Sequence, residues 1–296
     1  MTWFESFILG IVQGLTEFLP VSSSAHLRLA AVAAGWPDPG AAFTAVAQIG
    51  TETAVLIYFR KDIGRIVGAW WRSLSDKAVR KTLDARMGWL VLVGTLPIGV
   101  LGLLFKDHIE GPFRDLRLIA SSLIVLGIVL GVADRMASRA AQRAEKGGRH
   151  RAVRPPKDLQ DLTVRDGVLF GFCQALALIP GMSRSGSTIT GGLFLGYNRA
   201  AAARYSFLLA IPAVLASGAY ELTAIGEEGS HVDWGPTALA TLVSGLVGYA
   251  VIAWFMRFIS HRSFLPFVIY RVLLGSVVLA LVWLGVLDPL AGSDIG

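Results

Sequence analysis

Two polar clusters stand inside otherwise apolar sequence, and both carry residue types that do chemistry. The first runs Gln13-Gly14-Leu15-Thr16-Glu17-Phe18-Leu19-Pro20-Val21-Ser22-Ser23-Ser24-Ala25-His26. On a helix Gln13 and Glu17 are four apart and share a face, and Ser23 and His26, three apart, do the same if a second helix has begun beyond Pro20. A carboxylate in apolar surroundings is costly unless it is paired or holds a cation, so Glu17 points to a divalent ion or a general base. The serines admit a plainer role as caps of the following helix.

The second cluster is Pro180-Gly181-Met182-Ser183-Arg184-Ser185-Gly186-Ser187-Thr188, directly before the apolar run Ile189 to Tyr197. Gly181 and Gly186 permit backbone shapes that other residues resist, and a helix start offers free N–H groups and a positive dipole end. With Ser183, Ser185, Thr188 and one guanidinium this makes an anion cradle in which Arg184 can grip two phosphoryl oxygens at once. It is not a Walker loop, because the lysine and the spacing are absent. A carboxylate and imidazole beside an anion cradle suit phosphoryl chemistry: the oxyanions must be neutralised, a nucleophile positioned and a proton handled. The residues leave open whether the nucleophile is Ser23, Ser22, His26 or water.

The elements that must position these clusters follow from composition. Of 296 residues 54% are hydrophobic and 16% charged, and 23 of the charged residues fall within 60–86 and 135–165. The rest of the chain cannot form a water-facing shell, which excludes a soluble enzyme. The single cysteine, Cys173, excludes a disulfide scaffold. Six segments approach the roughly 20 apolar residues that a membrane crossing needs: 43–59, 88–105, 117–134, 201–220, 236–256 and 265–287. Regions 3–35 and 165–198 are broken by Pro20 and Pro180 into arms too short to cross, so both are expected to be re-entrant hairpins with tips buried in protein or lining a wet cavity.

Seventeen of the 27 Lys and Arg lie in loops 60–86 and 135–165, whereas 221–235 carries Glu221, Glu227, Glu228 and Asp233 and no Lys or Arg. That bias sets membrane orientation, with the basic loops cytoplasmic, and accounts for the net charge of +6 without nucleic acid. Gly10-Ile11-Val12-Gln13 resembles Gly171-Phe172-Cys173-Gln174, and each hairpin is followed by three spans. The expected fold is therefore an all-α polytopic membrane protein, six spanning helices plus two re-entrant hairpins in an inverted-topology repeat. Repeat 1 covers 1–134, a cytoplasmic linker 135–164, and the inverted repeat 2 covers 165–296.

Other polar residues have plainer assignments. Glu52, the one acid in span 43–59, lines the same cavity or pairs with a neighbouring helix; Arg199 and Arg204 anchor a span; Arg271 makes a structural pairing. Trp70-Trp71 reads as an interfacial belt, and the tract 138–158 as a flexible linker. His108, His150, His231 and His261 show no metal-ligand spacing.

The two clusters resemble the (Glu/Gln)-x-x-x-Glu motif running into Leu-Pro-x-Ser-Ser-x-x-His, and the Pro-Gly-x-Ser-Arg-Ser-x-x-Thr motif, of the undecaprenyl-diphosphate phosphatases of the bacitracin-resistance type. The resemblance extends over nearly the whole chain, including Phe207 to Pro212 and Phe264 to Arg271. It implies a membrane phosphatase that converts undecaprenyl diphosphate to the monophosphate and inorganic phosphate for wall synthesis. It also implies a multi-pass protein of the bacterial inner membrane, with its site opening to the periplasm. The partners it implies are the polyprenyl diphosphate and membrane lipids, and a homodimer is compatible with it. By motif position Gln13 and Glu17 form the acidic pair that meets a divalent cation, Mg2+ or Ca2+, with no full protein cage. Ser23 takes the place of the nucleophilic serine and His26 of the essential histidine. Gly181, Ser183, Arg184, Ser185, Gly186 and Thr188 take the diphosphate-binding loop, with Ser22 adjoining. Gln13 stands where many members have glutamate, and Ser24-Ala25 replaces the common Thr-Gly. The rival reading is a polyprenyl-phosphate flippase or transporter built on the same crossed hairpins.

Overall fold

The computed structural model describes residues 1–105, 115–146, 155–227 and 233–290. His108, His150, His231 and Glu228 lie outside them. The described residues form eleven α-helices: α1 (Trp3–Thr16), α2 (Ser23–Ala34), α3 (Gly40–Tyr58), α4 (Arg60–Ser73), α5 (Leu83–Leu104), α6 (Leu116–Lys146), α7 (Val164–Ala175), α8 (Arg184–Phe194), α9 (Arg199–Glu227), α10 (Trp234–His261) and α11 (Leu265–Trp283). A single isolated bridge pairs Lys157 with Tyr197.

Five of these helices, α5, α6, α9, α10 and α11, are long and apolar enough to cross a membrane, and α3 with α4 makes a sixth candidate bent by 80°. Their outward faces are greasy: α5 exposes Leu92, Leu96, Val100 and Leu103, and α11 exposes Ile269, Leu273, Val277 and Trp283. A soluble protein does not display continuous apolar faces of that size, so the chain is an integral membrane protein. The arms α1, α2, α7 and α8 have 14, 12, 12 and 11 residues. At 1.5 Å per residue they reach about 16–21 Å, against a hydrocarbon core of roughly 30 Å.

Two segments read as loops are helical. Residues 60–73 form α4, which turns away from α3 at Phe59; Ile66, Ala69 and Ser73 face the protein while Val67 and Trp71 are exposed. The charges that mark this stretch as a loop belong to one face of an amphipathic helix, whose period carries more structural information than its charge count. Trp70 packs edge-on against Trp89 of α5 rather than standing free. Residues 135–146 prolong α6 instead of starting a linker. The Ala, Arg and Ser of this stretch sustain the helix once it leaves the apolar span.

The two ends of the bundle differ. At one end Arg204 bonds Asp62, Arg199 bonds Asp134 and Ser138, the Phe264 N–H bonds Asp134, and Arg86 bonds the Gln160 carbonyl. At the other, the N-terminal ammonium meets Asp233 at 2.9 Å and the Leu116 N–H meets the Pro289 carbonyl at 2.9 Å. Arg199 and Arg204 thus tie helices together at the basic end.

Close helix approaches depend on glycine. A Cβ at Gly50 would lie 2.0 Å from the Thr241 carbonyl oxygen and 2.4 Å from Ser244 Oγ, so α3 and α10 must separate if one is added. Gly50→Ala is expected to cost about 3 kcal/mol and to lower the melting temperature in detergent. Gly64→Ala, which meets nothing within 4 Å, should leave it unchanged.

Candidate active site at the meeting of two hairpin tips

Both hairpins turn on a serine in an unusual conformation. Ser22 has φ 75° and Ser183 φ 64°, the two non-glycine residues with positive φ among the described residues. A β-carbon resists that region, and such strain concentrates at functional sites. Each serine caps its own helix: Ser22 Oγ accepts from the Ala25 N–H at 3.5 Å, and Ser183 Oγ from the Gly186 N–H at 3.1 Å. Each also touches the serine two residues on, at 3.2 Å in both cases. Gly181, φ 88°, holds the second tip against α6, where a Cβ would come within 2.5 Å of the Ile119 carbonyl oxygen.

Glu17 is the hub where the tips meet. Its Oε2 accepts from Gln13 Nε2 at 2.8 Å and from Ser23 Oγ at 2.7 Å, and its Oε1 accepts from Arg184 Nη2 at 2.6 Å. Residues 167 apart in sequence are therefore joined by an ion pair, with the Glu17 side chain 5% and Arg184 15% exposed. Arg184 Nη1 is buried without a partner among the described residues, so half of the fork remains for an anion. The N–H groups of Arg184 and Ser185, in the first turn of α8, precede any intrahelical acceptor and add the positive end of the dipole.

The other predicted residues divide between this hub and its supports. Ser185 Oγ donates to the Leu19 carbonyl at 3.1 Å and so ties the second tip to the first. Thr188, wholly buried, bonds Ser206 of α9 and the carbonyl of Arg184. Ser22, Ser183, Gly181 and Gly186 shape the turns. His26 is not bonded to Ser23, although the two share a helical turn. Its Nδ1 lies 2.7 Å from the Ser22 carbonyl oxygen and its Nε2 2.7 Å from the Tyr270 hydroxyl, with the two rings stacked 5.5 Å apart. A carbonyl can only accept, so Nδ1 carries a proton; in the neutral ring Nε2 then accepts from Tyr270.

Three further residues surround the hub, of which the sequence reading left out Tyr270. Tyr270 gave no signal beyond its place beside an intramembrane arginine. Arg271, fully buried, has no acidic partner among the described residues: it donates to the carbonyls of Pro20 (3.0 Å), Gly181 (2.8 Å), Ser122 (3.2 Å) and Leu123 (3.1 Å), holding both tips and α6 at once. Glu52, 2% exposed, lies within electrostatic reach of Arg184 and Glu17.

A match to the family described as "Bacitracin resistance protein BacA" extends over residues 6–277. The chain is 69% identical over 296 residues to the "Undecaprenyl-diphosphatase" of Streptomyces griseus subsp. griseus, covering 100% of both chains. It is 67% identical, again over 100% of both, to the "Undecaprenyl-diphosphatase 2" of Streptomyces coelicolor. To the "Undecaprenyl-diphosphatase" of Thermobifida fusca it is 57% identical over 294 residues, covering 99% of this chain and 95% of the relative.

Proposed function

The chain belongs to the bacitracin resistance protein BacA family, and on that premise we propose that it hydrolyses undecaprenyl diphosphate to undecaprenyl phosphate and inorganic phosphate, returning the carrier lipid to wall synthesis. The observation that carries this reading is Arg184, which spends one nitrogen on Glu17 and keeps Nη1 buried without a partner beside a helix start. A diphosphate entering here meets a guanidinium, two N–H groups and a dipole end.

Ser23 Oγ, 2.7 Å from Glu17 Oε2, is the nucleophile in this reading. Ser22 Oγ is the worse candidate because it caps its own helix. As Ser23 attacks the terminal phosphorus, its proton passes to Glu17, the phosphoanhydride P–O bond breaks and undecaprenyl phosphate leaves. Water then hydrolyses the phosphoserine, releasing inorganic phosphate and regenerating the hydroxyl. His26 Nε2, once parted from Tyr270, takes the proton of that water. A divalent cation, Mg2+ or Ca2+, would neutralise charge on the phosphoryl oxygens. Gln13 and Glu17 fit it, since Gln13 Oε1 is buried with no partner among the described residues beside a carboxylate.

The same reading makes the fold an inverted repeat of two hairpin-plus-three-span halves in the inner membrane. Paired packing supports it: α1 lies on α10 as α7 lies on α5, and α3 on α10 as α9 on α5. Gly10 approaches the Ala240 carbonyl as Gly171 approaches that of Gly94, and the matched strained caps Ser22 and Ser183 add to this. The basic end, where α4 and the start of α7 lie, is read as cytoplasmic. Hairpin 1, whose chain start meets Asp233 at the other end, then opens the site to the periplasmic side, with the prenyl tail leaving between helices into lipid.

Phosphate release from undecaprenyl diphosphate by the purified protein in detergent tests the reading. Arg184→Ala is expected to lower the rate by about 10³-fold, the loss typical of a preorganised oxyanion donor. Equal rates for wild type and variant, or lipid transfer across sealed vesicles without phosphate release, would overturn it.

A further inference from the structure

Among the described residues no three His, Cys, Asp or Glu side chains come together as a ready metal cage. The site does hold oxygens with nothing to accept from. Glu52 Oε1 and Gln13 Oε1 are both buried without a hydrogen-bond partner among the described residues, on residues 2% and 0% exposed. An ionised carboxylate shut away from water is strongly unfavourable unless a cation compensates it. Arg184 attracts Glu52 electrostatically but makes no hydrogen bond to it among the described residues, its Nη2 being committed to Glu17 Oε1 at 2.6 Å.

The position of Glu52 is set by the packing of α3. Gly50 lets α3 come against α10, with Gly245 and Ser244 of that helix at the contact. Thr51 lies beside Gly248, which Phe18 also approaches, so this turn of α3 borders the turn that presents Glu17. Glu52, the next residue along, lies within electrostatic reach of both Glu17 and Arg184. Two carboxylates that repel one another, with the unpartnered amide oxygen of Gln13 beside Glu17, are relieved together by one divalent ion. Oxygen ligands of this kind select hard cations of the Mg2+, Ca2+ and Mn2+ class.

Resting on the proposed phosphatase reading, we infer that Glu52 of α3 is a ligand of the divalent cation, completing with Glu17 and Gln13 Oε1 an oxygen set drawn from two helices. Gln13 brings no charge, and Glu52 supplies the second negative charge that a divalent ion needs. The ion thereby bridges the first hairpin to a spanning helix, and the site is set up before substrate arrives.

Mn2+ binding to the purified full-length protein in detergent, followed by electron paramagnetic resonance without any lipid substrate, tests this. Glu52→Gln is expected to weaken Mn2+ binding at least tenfold, while metal-free melting stays at or above that of wild type because an uncompensated charge has gone. Gln13→Glu in the Glu52→Gln background restores two carboxylates and should recover most of the affinity. No saturable Mn2+ binding to wild type, unchanged affinity in Glu52→Gln, or loss without recovery in the double variant would each overturn the assignment. Phosphate release by the wild type is measured alongside. If release is normal while Glu52→Gln binds Mn2+ like wild type, only the ligand assignment falls; absent release removes the phosphatase reading itself.

Discussion

Glu17→Gln should lower phosphate release by about 10³-fold or more while leaving the protein folded. The replacement keeps the shape and one carbonyl-type oxygen, so the contacts with Gln13 or Ser23 can be retained in part. What it removes is the charge that opposes Arg184 and, in the proposed reaction, the basicity that takes the Ser23 proton. General-base catalysis alone is worth about 10²–10⁴-fold. Glu17, Ser23 and Arg184 form one bonded unit, and groups that act as a unit do not contribute additively. Ser23→Ala and the Ser23→Ala/Glu17→Gln double variant are therefore expected to show nearly the same residual rate as Glu17→Gln. A double variant slower by the product of the two single losses would mean that Glu17 and Ser23 act in separate steps, and the nucleophile assignment would have to change. Steady-state release in detergent, with melting curves as a check on folding, gives the comparison.

What could be read from sequence was what lies within one helical turn or announces itself by breaking one. Pro20 and Pro180, each in the middle of an apolar stretch too long for one arm and too short for two spans, mark the tips. Gln13 and Glu17, four apart, are bonded at 2.8 Å, in line with helical spacing. Spacing failed where a partner comes from another segment. Ser23 and His26 share a turn, yet Ser23 turns to Glu17 while His26 turns to Tyr270, 244 residues away. A local pattern cannot register that, because the Tyr270 hydroxyl that holds the imidazole belongs to α11. The error at α4 has a different origin: lysine and arginine density suggested a loop, although the Ile63, Ile66, Trp70 spacing already described a helical face. Glu52 and Arg271 were conspicuous as ionisable groups in apolar runs. For Glu52 the sequence left two surroundings open, and for Arg271 the partners were out of reach, since it bonds backbone oxygens that have no sequence signature.

Arg271 carries the second large expectation, and it concerns the integrity of the tips. A helix interrupted inside the hydrocarbon layer leaves carbonyls that no water can satisfy, and irregular backbone is tolerated there only if protein groups take over. In the proposed membrane arrangement Pro20 and Gly181 are such positions, one in each tip; Arg271 donates to both carbonyls while its remaining N–H groups bond the Ser122 and Leu123 carbonyls of α6. A guanidinium, with five donors in a fixed plane, can serve four acceptors from three segments. Arg271→Met fills similar volume and orphans the Pro20 and Gly181 carbonyls, whereas those of Ser122 and Leu123, inside α6, keep their helical donors. With a buried unpaired acceptor costing about 1–3 kcal/mol and partial relaxation, a loss of about 4 kcal/mol is expected, which lowers the melting temperature in detergent by roughly 10 °C. Arg271→Lys, a point charge with three donors, should recover part of the stability but little of the activity. One tip can then be held while the other moves, and Glu17 and Arg184 no longer meet at hydrogen-bonding distance. If Arg271→Met melts within about 2 °C of wild type, the tips are held together chiefly by the Glu17–Arg184 ion pair and the Ser185–Leu19 bond, and Arg271 is not what joins the two hairpins.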